Sequence, residues 1–156
     1  MRNRMIIIEG PQGTGKTTLA NYLRENIASS NLYRLSGQKD KSLEGKKISR
    51  KMYNTLLKYL KNMEDIPMDL IFDRTFFTEE VYARLGFKEY RFTDVYQKLL
   101  EKFNELNFDI YYISLYLKDT DLFVKRLARD SHHNYQAFSK DNSVRQQNEY
   151  KKLLKN

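Results

Sequence analysis

The segment from Gly10 to Thr17 limits the fold of this chain more than any other stretch of the sequence. It reads Gly-Pro-Gln-Gly-Thr-Gly-Lys-Thr and matches the pattern G-x-x-x-x-G-K-[ST] in full. An apolar run at 5–9 precedes it, and an amphipathic segment begins at Lys16. A strand, a glycine-rich turn and a helix in this order direct backbone N–H groups and the positive end of the helix toward an anion. The segment is therefore predicted to be a loop that binds the phosphates of a nucleotide.

The residues of this loop have separate expected roles. Lys16 is expected to reach the β- and γ-phosphates of ATP, and the Thr17 hydroxyl is expected to bind Mg²⁺. The predicted nucleotide-binding set is Gly10, Gln12, Gly13, Thr14, Gly15, Lys16, Thr17 and Thr18. ATP and Mg²⁺ are thus the expected cofactors.

The composition indicates a soluble globular protein, predicted to be one domain over 1–156. The chain has no Cys, which excludes disulfides and Cys-based metal sites. No apolar run approaches the roughly 20 residues that span a bilayer, so we expect a cytoplasmic protein with no membrane partner. The formal charge of +8 admits nucleic acid as a partner, but a small polyanion is favoured.

Hydrophobic periodicity predicts strands that alternate with helices. Strands are predicted at 5–9, 31–36, 68–73 and 108–117, and helices at 16–28, 43–62, 75–85, 93–106, 119–129 and 143–154. This alternation is typical of a three-layer α/β fold, with a mostly parallel sheet covered by helices on both faces. We place the first strand at the centre, where a ligand crevice forms at the carboxyl ends of the strands.

Asp73 and Arg74 stand at the end of the third predicted strand. An acidic residue beside a phosphate loop is suited to holding Mg²⁺ or orienting an acceptor, and an arginine is suited to gripping phosphate. The alternative is a structural one, with Asp73 capping the next helix and Arg74 exposed. Downstream, Phe76, Phe77 and Tyr82 suit either stacking on a base or packing in the core.

Arg126 and Arg129 end the predicted helix at 119–129, and the polar segment 130–142 follows as a lid-like loop. A mobile loop with arginines is a common means of closing over a γ-phosphate. The alternative is that these cations stabilise the carboxyl end of the helix. The adjacent pair His132 and His133 project differently and have no further histidine to join them, so we expect no zinc-type site.

Three parts of the sequence, in this order, resemble the thymidylate kinase and deoxynucleoside kinase branch of the P-loop kinases. They are the stretch IIIEGPQGTGKTTLANYL at 6–23, the Asp73-Arg74 pair with Tyr82 downstream, and the segments at 112–130 and 144–154. The resemblance implies ATP–Mg²⁺, a five-stranded sheet, and an Asp-Arg pair that grips the acceptor. The catalytic residues carried over are Lys16, Asp73, Arg74, Arg126 and Arg129, and the metal site is Thr17 with Asp73.

The sequence departs from the family pattern in two places. Ser36-Gly37-Gln38-Lys39-Asp40 stands where these kinases carry an acidic or Arg-Glu-Pro signature after the second strand. No fifth strand follows the last helix, so we expect four parallel strands in the order 2-3-1-4. Compact kinases of this kind are typical of phage and prophage nucleotide metabolism.

The expected activity is transfer of the γ-phosphate of ATP to a (deoxy)nucleoside monophosphate or a nucleoside. Arg34 and Arg50, together with Arg74, favour a monophosphate, and Asp73, or else Glu44 or Glu80, would orient the attacking oxygen. The alternatives are a polynucleotide kinase, another small-molecule kinase, an NTPase without an acceptor, and a nucleic-acid-binding domain. A homodimer is left open.

Overall fold

A computed structural model of the chain describes residues 2–127 and 139–155, which contain four strands and six helices. The strands are β1 (Asn3–Glu9), β2 (Ser30–Arg34), β3 (Asp69–Asp73) and β4 (Phe108–Ser114). The helices are α1 (Lys16–Asn26), α2 (Leu43–Met63), α3 (Phe76–Arg84), α4 (Thr93–Asn104), α5 (Leu122–Leu127) and α6 (Lys140–Lys155).

The four strands form one parallel sheet in the order β2-β3-β1-β4. β1 lies inside the sheet, with Ile8 opposite Asp73 of β3 and Glu9 opposite Ser114 of β4. The carboxyl ends of the strands therefore meet at one edge, directly below the loop that leaves β1. The predicted α/β fold, the strand order and the central position of β1 are all confirmed.

Alternate residues of the strands build the two faces of the sheet, because successive side chains of a strand point to opposite sides. Met5 and Ile7 enter a large core with residues of α2, α3, α4 and α6. Ile6 and Ile8 pack on the other side against Ala20 of α1. Helices thus cover both faces, as expected for a parallel sheet.

Aromatic side chains dominate the larger core. Phe76 has no exposed surface and lies within ring-contact distance of four other aromatic residues. Phe77 and Tyr82 are 2% and 3% exposed. Of the two roles open to these three residues, the structure therefore selects packing, and stacking on a base is excluded for them in this conformation.

Most predicted bounds agree with the structure within two residues, but the last strand is shorter than expected. β4 ends at Ser114 rather than at 117 because a side chain takes over the pairing of the backbone beyond it. The Gln147 amide accepts from Leu117 N at 2.8 Å and donates to Leu117 O at 3.0 Å.

The two helices around the predicted lid also differ from their expected bounds. α5 begins at Leu122 rather than at 119, and its predicted end at Arg129 lies outside the described residues. α6 begins three residues early, because Ser139 accepts backbone N–H bonds from Asn142 and Ser143 through its hydroxyl and its carbonyl. Most of the predicted lid, with His132 and His133, lies outside the described residues as well. Among the described helices none combines the length and apolar character needed to cross a membrane.

Replacing Phe76 by Ala is expected to lower the free energy of unfolding by about 3–5 kcal/mol, because the ring fills the centre of the aromatic core. Denaturant unfolding followed by circular dichroism measures this. Tyr111→Ala is the control, since Tyr111 is 51% exposed on β4 and its loss should cost less than about 1 kcal/mol. Equal losses in the two variants would contradict the core assigned here.

Candidate nucleotide-binding and phosphoryl-transfer site

The segment 10–15 joins β1 to α1 and curls above the edge of the sheet. Its bend relies on left-handed backbone at Gly10, Gly13 and Gly15, with φ of 149°, 90° and 93°. A side chain at Gly10 would also collide with the backbone, because its Cβ would lie 2.6 Å from Leu115 O. The glycines of the sequence pattern are thus required by backbone conformation, and at Gly10 by the close approach of β4's extension.

The functional groups of the loop converge on its concave side. The Lys16 ammonium donates to Pro11 O at 2.9 Å, and the Thr14 hydroxyl donates to the same oxygen at 2.8 Å. Lys16 is only 4% exposed, so its charge lies within the loop rather than in solvent. Helix α1 begins at this lysine and directs its electropositive end toward the loop.

The end of β3 faces the start of α1. The Thr17 hydroxyl donates to the Asp73 carboxylate with an oxygen–oxygen distance of 3.0 Å. On the other side, Arg34 at the end of β2 places Nε 3.5 Å from the same carboxylate oxygen. Three elements that are distant in sequence therefore bring a hydroxyl, a carboxylate and a guanidinium together.

Arg74 has an unusual backbone conformation. Its φ is 73°, the only positive φ among the described residues other than glycine, and such a conformation costs about 1–3 kcal/mol. Its N–H donates to Ile8 O at 3.0 Å, and its guanidinium donates to Gln12 Oε1 at 3.3 Å. Burial lowers its pKa, but surrounding tyrosines and carboxyls outweigh that effect and raise it above the ordinary value, so the side chain is a fixed cation beside the loop.

Arg126 reaches the phosphate loop from the opposite side. Its Nη1 donates to Gly13 O at 2.9 Å, which ties α5 to the loop. An open pocket of about 810 Å³ lies over this region, lined by 12–19 together with Tyr22, Leu115 and Arg126. Arg129, the other arginine predicted for the lid, lies outside the described residues.

Three residues that were expected near the acceptor lie elsewhere. Arg50 lines a groove between α2 and α4 and does not join Arg34 and Arg74. Glu44 is exposed and pairs with Lys47 on α2. Glu80 is buried between α3 and α4, where it accepts bonds from Arg84 and from Thr93. Of the acidic residues considered from the sequence, only Asp73 therefore lies at the phosphate loop.

Glu9, the last residue of β1, is a buried carboxylate that the sequence analysis did not single out. It has no exposed surface and accepts bonds from Thr75 N at 3.0 Å and from the Thr78 hydroxyl at 3.2 Å. Burial raises its pKa to about 8, although the Thr75 N–H and the charges of Arg74 and Lys16 oppose the rise. The sequence does hold one signal for this role, since Glu9 is a charged residue at the end of a buried apolar strand.

Glu79 is a second carboxylate that sequence reasoning missed. It is 1% exposed and accepts bonds from Gln38 N at 2.6 Å and from the Tyr90 hydroxyl at 3.2 Å. Lys88 also donates to the backbone carbonyl of Gln38. The segment that replaces the family signature after β2 is therefore held against a carboxylate that α3 supplies.

Glu9→Gln is expected to flatten the pH dependence of stability. Because folding raises the pKa of Glu9 from 4.5 to about 8, the folded chain keeps a proton in this window that the unfolded chain has lost. The wild type should thus lose stability as pH rises from 4.5 to 8, with a contribution of up to about 1.4 kcal/mol per pH unit from this group.

The measurement is the free energy of unfolding from urea titrations between pH 5 and pH 8.5. Glu105→Gln, which changes an exposed carboxylate, controls for the loss of one charge. Parallel pH profiles for wild type and Glu9→Gln would show that Glu9 titrates in its ordinary range.

The chain matches no protein-family model and has no significant match among curated proteins. Among solved structures it is similar to thymidylate kinase from Candida albicans, with a TM-score of 0.69 and 13% identity, covering 97% of this chain and 78% of that one. It is also similar to deoxyadenosine kinase from M. mycoides with dCMP and dCDP bound, with a TM-score of 0.52 and 18% identity over 97% of this chain and 83% of that one. The same enzyme with dATP bound gives a TM-score of 0.52 and 20% identity over 98% and 84% of the two chains. The chain therefore has the fold of the P-loop nucleoside and nucleotide kinases that its sequence resembles.

Proposed function

We propose that this chain is a kinase that transfers the γ-phosphate of ATP to a (deoxy)nucleoside monophosphate or a nucleoside. The observation that carries the proposal is the contact between Thr17 and Asp73 at 3.0 Å. It joins the start of the phosphate loop's helix to the turn at the end of β3, where Arg74 also lies. The fold adds support, because the solved structures with this fold include nucleoside and nucleotide kinases.

ATP is proposed to bind with its phosphates in the loop at 10–18. The backbone amides of the bend and the end of α1 supply fixed donors and a positive potential. Lys16 now bonds to Pro11 O, and it would exchange that neutral acceptor for a phosphate oxygen of higher charge. Tyr22 and Leu115, which border the same pocket, would contact the remainder of the nucleotide.

The oxygen donors beside the loop fit Mg²⁺, which is commonly held by one or two carboxylates together with substrate phosphates. Thr17 and Asp73 would hold it, and both offer hard oxygen ligands. When bound, the ion supplies positive charge to the phosphate oxygens. Within the described ranges no cluster of three or more acidic or histidine side chains forms a separate cation cage, and a substrate-dependent Mg²⁺ site does not need one.

Transfer is proposed to proceed in line, with the protein supplying position and charge rather than a covalent intermediate. Arg74 and Arg126 approach the loop from β3 and from α5, so their charges would stabilise the equatorial oxygens of the transferring group. Asp73 would orient the attacking oxygen of the acceptor. Arg129 and the lid at 130–142 are proposed to complete closure, on the evidence of the sequence.

The acceptor is proposed to lie beside the Asp73-Arg74 turn, where β2 and β3 end. Arg34 and Arg74 flank Asp73 there, and two arginines beside one carboxylate favour an acceptor that already carries a phosphate. A nucleoside monophosphate fits this arrangement best.

Incubating the chain with labelled ATP, Mg²⁺ and each nucleoside, nucleoside monophosphate or 5′-hydroxyl oligonucleotide tests the proposal. We expect labelled product with one or a few monophosphates, since Arg34 and Arg74 favour an acceptor phosphate. Labelling of the oligonucleotide with strong salt dependence would identify a polynucleotide kinase instead. Phosphate release that no acceptor changes would identify an NTPase and contradict the proposal.

Lys16→Ala is expected to lower turnover by about three orders of magnitude, because it removes the charge closest to the transferring phosphate. The fold should persist, because the ammonium bonds to Pro11 O of its own loop and the side chain is not part of the hydrophobic clusters that hold the sheet to its helices. The matched control is Lys46→Ala, which removes a lysine of α2 that pairs with Asp94 of α4. Near-normal turnover in Lys16→Ala would exclude this loop as the site of transfer.

A further inference from the structure

We propose that Glu9 is a positioning residue for phosphoryl transfer, which fixes the Asp73-Arg74 turn against the phosphate loop and is itself held by Tyr150 through Thr78. The inference rests on the proposed function, because it assigns Glu9 to the same transfer reaction. It adds to that site a residue that would touch neither ATP nor the acceptor and would act through Arg74.

Glu9 is the point at which three strands are joined at the edge of the sheet. Its backbone carbonyl accepts from Leu115 N, beyond the end of β4, at 2.9 Å. Its side chain crosses in the other direction to Thr75 N, beyond the end of β3. One residue immediately before Gly10 thus sets the positions of both segments that border the phosphate loop.

The turn at Arg74 needs hydrogen bonds to stabilise it, because a left-handed backbone is unfavourable for a residue with a side chain. The peptide N–H groups on both sides of its Cα are donors to β1. Arg74 N donates to the Ile8 carbonyl, and Thr75 N donates to the Glu9 carboxylate. These two bonds pin the turn, and the side chain then points to Gln12 of the loop. Without the carboxylate one of the two anchors is lost and the backbone is free to relax.

A carboxyl group is costly to bury unless it is hydrogen-bonded. Its presence here therefore points to a donor that an apolar side chain would leave without an acceptor. The Thr75 side chain does not cap α3, and its hydroxyl is buried without a partner. The Glu9 carboxylate instead satisfies the backbone N–H at this helix start. An apolar residue would pack in the sheet equally well but would leave that N–H buried and unpaired.

Tyr150 extends the arrangement to the helix that follows the predicted lid. Its hydroxyl lies 2.8 Å from that of Thr78, which in turn bonds to Glu9, and the tyrosine has no exposed surface. Three residues earlier on α6, the Gln147 amide holds the backbone of Leu117, on the segment that leads to Arg126. α6 therefore contacts Thr78, which bonds to Glu9 behind Arg74, and Leu117, which precedes the helix of Arg126.

The test compares Glu9→Ala with Glu9→Gln. Glu9→Ala should lower kcat about 10- to 100-fold, because a displaced Arg74 no longer meets the transferring group. Affinity for Mg-ADP, measured by calorimetry, should stay within about threefold, because the loop amides and Lys16 are untouched. Glu9→Gln should keep kcat within about threefold, because the amide oxygen accepts the same bonds from Thr75 N and the Thr78 hydroxyl.

Two controls separate positioning from stability. Glu64 accepts a backbone N–H from Asn107 at the opposite end of the sheet, so Glu64→Ala removes a comparable contact and should leave kcat unchanged. Tyr150→Phe should lower kcat less than Glu9→Ala but measurably, whereas Tyr112→Phe, which removes a hydroxyl that bonds to Asn104, should not lower it.

Two results would overturn the inference. One is a Glu9→Ala protein that melts earlier but retains normal kcat once folded, which would make the residue purely structural. The other is a parallel loss of Mg-ADP binding and turnover, which would show that Glu9 supports the loop and not Arg74.

A wild type that transfers phosphate to no acceptor would remove the proposed function but would leave the inference testable. The crystal structure of Glu9→Ala then decides. An Arg74 that leaves its left-handed conformation and loses Gln12 supports the inference. An unchanged Arg74 overturns it.

Discussion

The pairing of β1 with both β3 and β4 is the constraint on which the site depends. Because the three strands are parallel, their carboxyl ends lie at one edge, and the register puts Ile8 beside Asp73 and Glu9 beside Ser114. The phosphate loop can therefore begin at Gly10 with the Asp73-Arg74 turn on one side and Leu115 on the other. A shift of one residue in either ladder would turn each of these side chains to the opposite face of the sheet.

Positive charge is concentrated at this edge of the sheet. The loop at 10–16 presents positive potential from its backbone and from Lys16. Three arginines lie around it, which are Arg34, Arg74 and Arg126. In the described structure these four cations are held by neutral or acidic acceptors, among them the carbonyls of Pro11 and Gly13 and the carboxylate of Asp73. Under the proposed function, a polyphosphate would offer Lys16 and Arg126, which line the pocket, oxygens of higher charge than their present acceptors.

The sequence predicted the parts of this structure whose signals are local. The glycine pattern, the apolar runs of β1, β3 and β4 and the helix periodicities gave the succession of elements and most of their bounds, whereas the strand order followed from the resemblance to the thymidylate and deoxynucleoside kinases. The same signals located Lys16, Thr17, Asp73, Arg74 and Arg126 near one another. The sequence could not separate packing from stacking for Phe76, because an aromatic residue serves either role until its neighbours are known.

What escaped prediction depends on contacts between residues far apart in the chain. Glu9 reads as the end of a strand, and only the closeness of Thr75, 66 residues later, shows what its carboxylate does. Glu79 lies in a helix whose other acidic residue, Glu80, bonds to Arg84 and Thr93, and no periodic pattern distinguishes the two. Arg50 belongs to the same basic run as Arg34, but it lies on α2 and faces the groove beside α4.

The large aromatic core explains how the chain tolerates these unfavourable features. Three features of the site lower stability: the buried carboxyl group of Glu9, the left-handed backbone of Arg74 and the buried ammonium of Lys16. All three lie at the carboxyl edge of the sheet. The turn that carries Arg74 leads directly into Phe76 and Phe77, whose rings stack on each other and are enclosed by α2, α4 and β4. Burial of those rings fixes the first turn of α3, and with it the two N–H groups that bond to β1. The turn is therefore held on one side by hydrogen bonds to the sheet and on the other by hydrophobic packing.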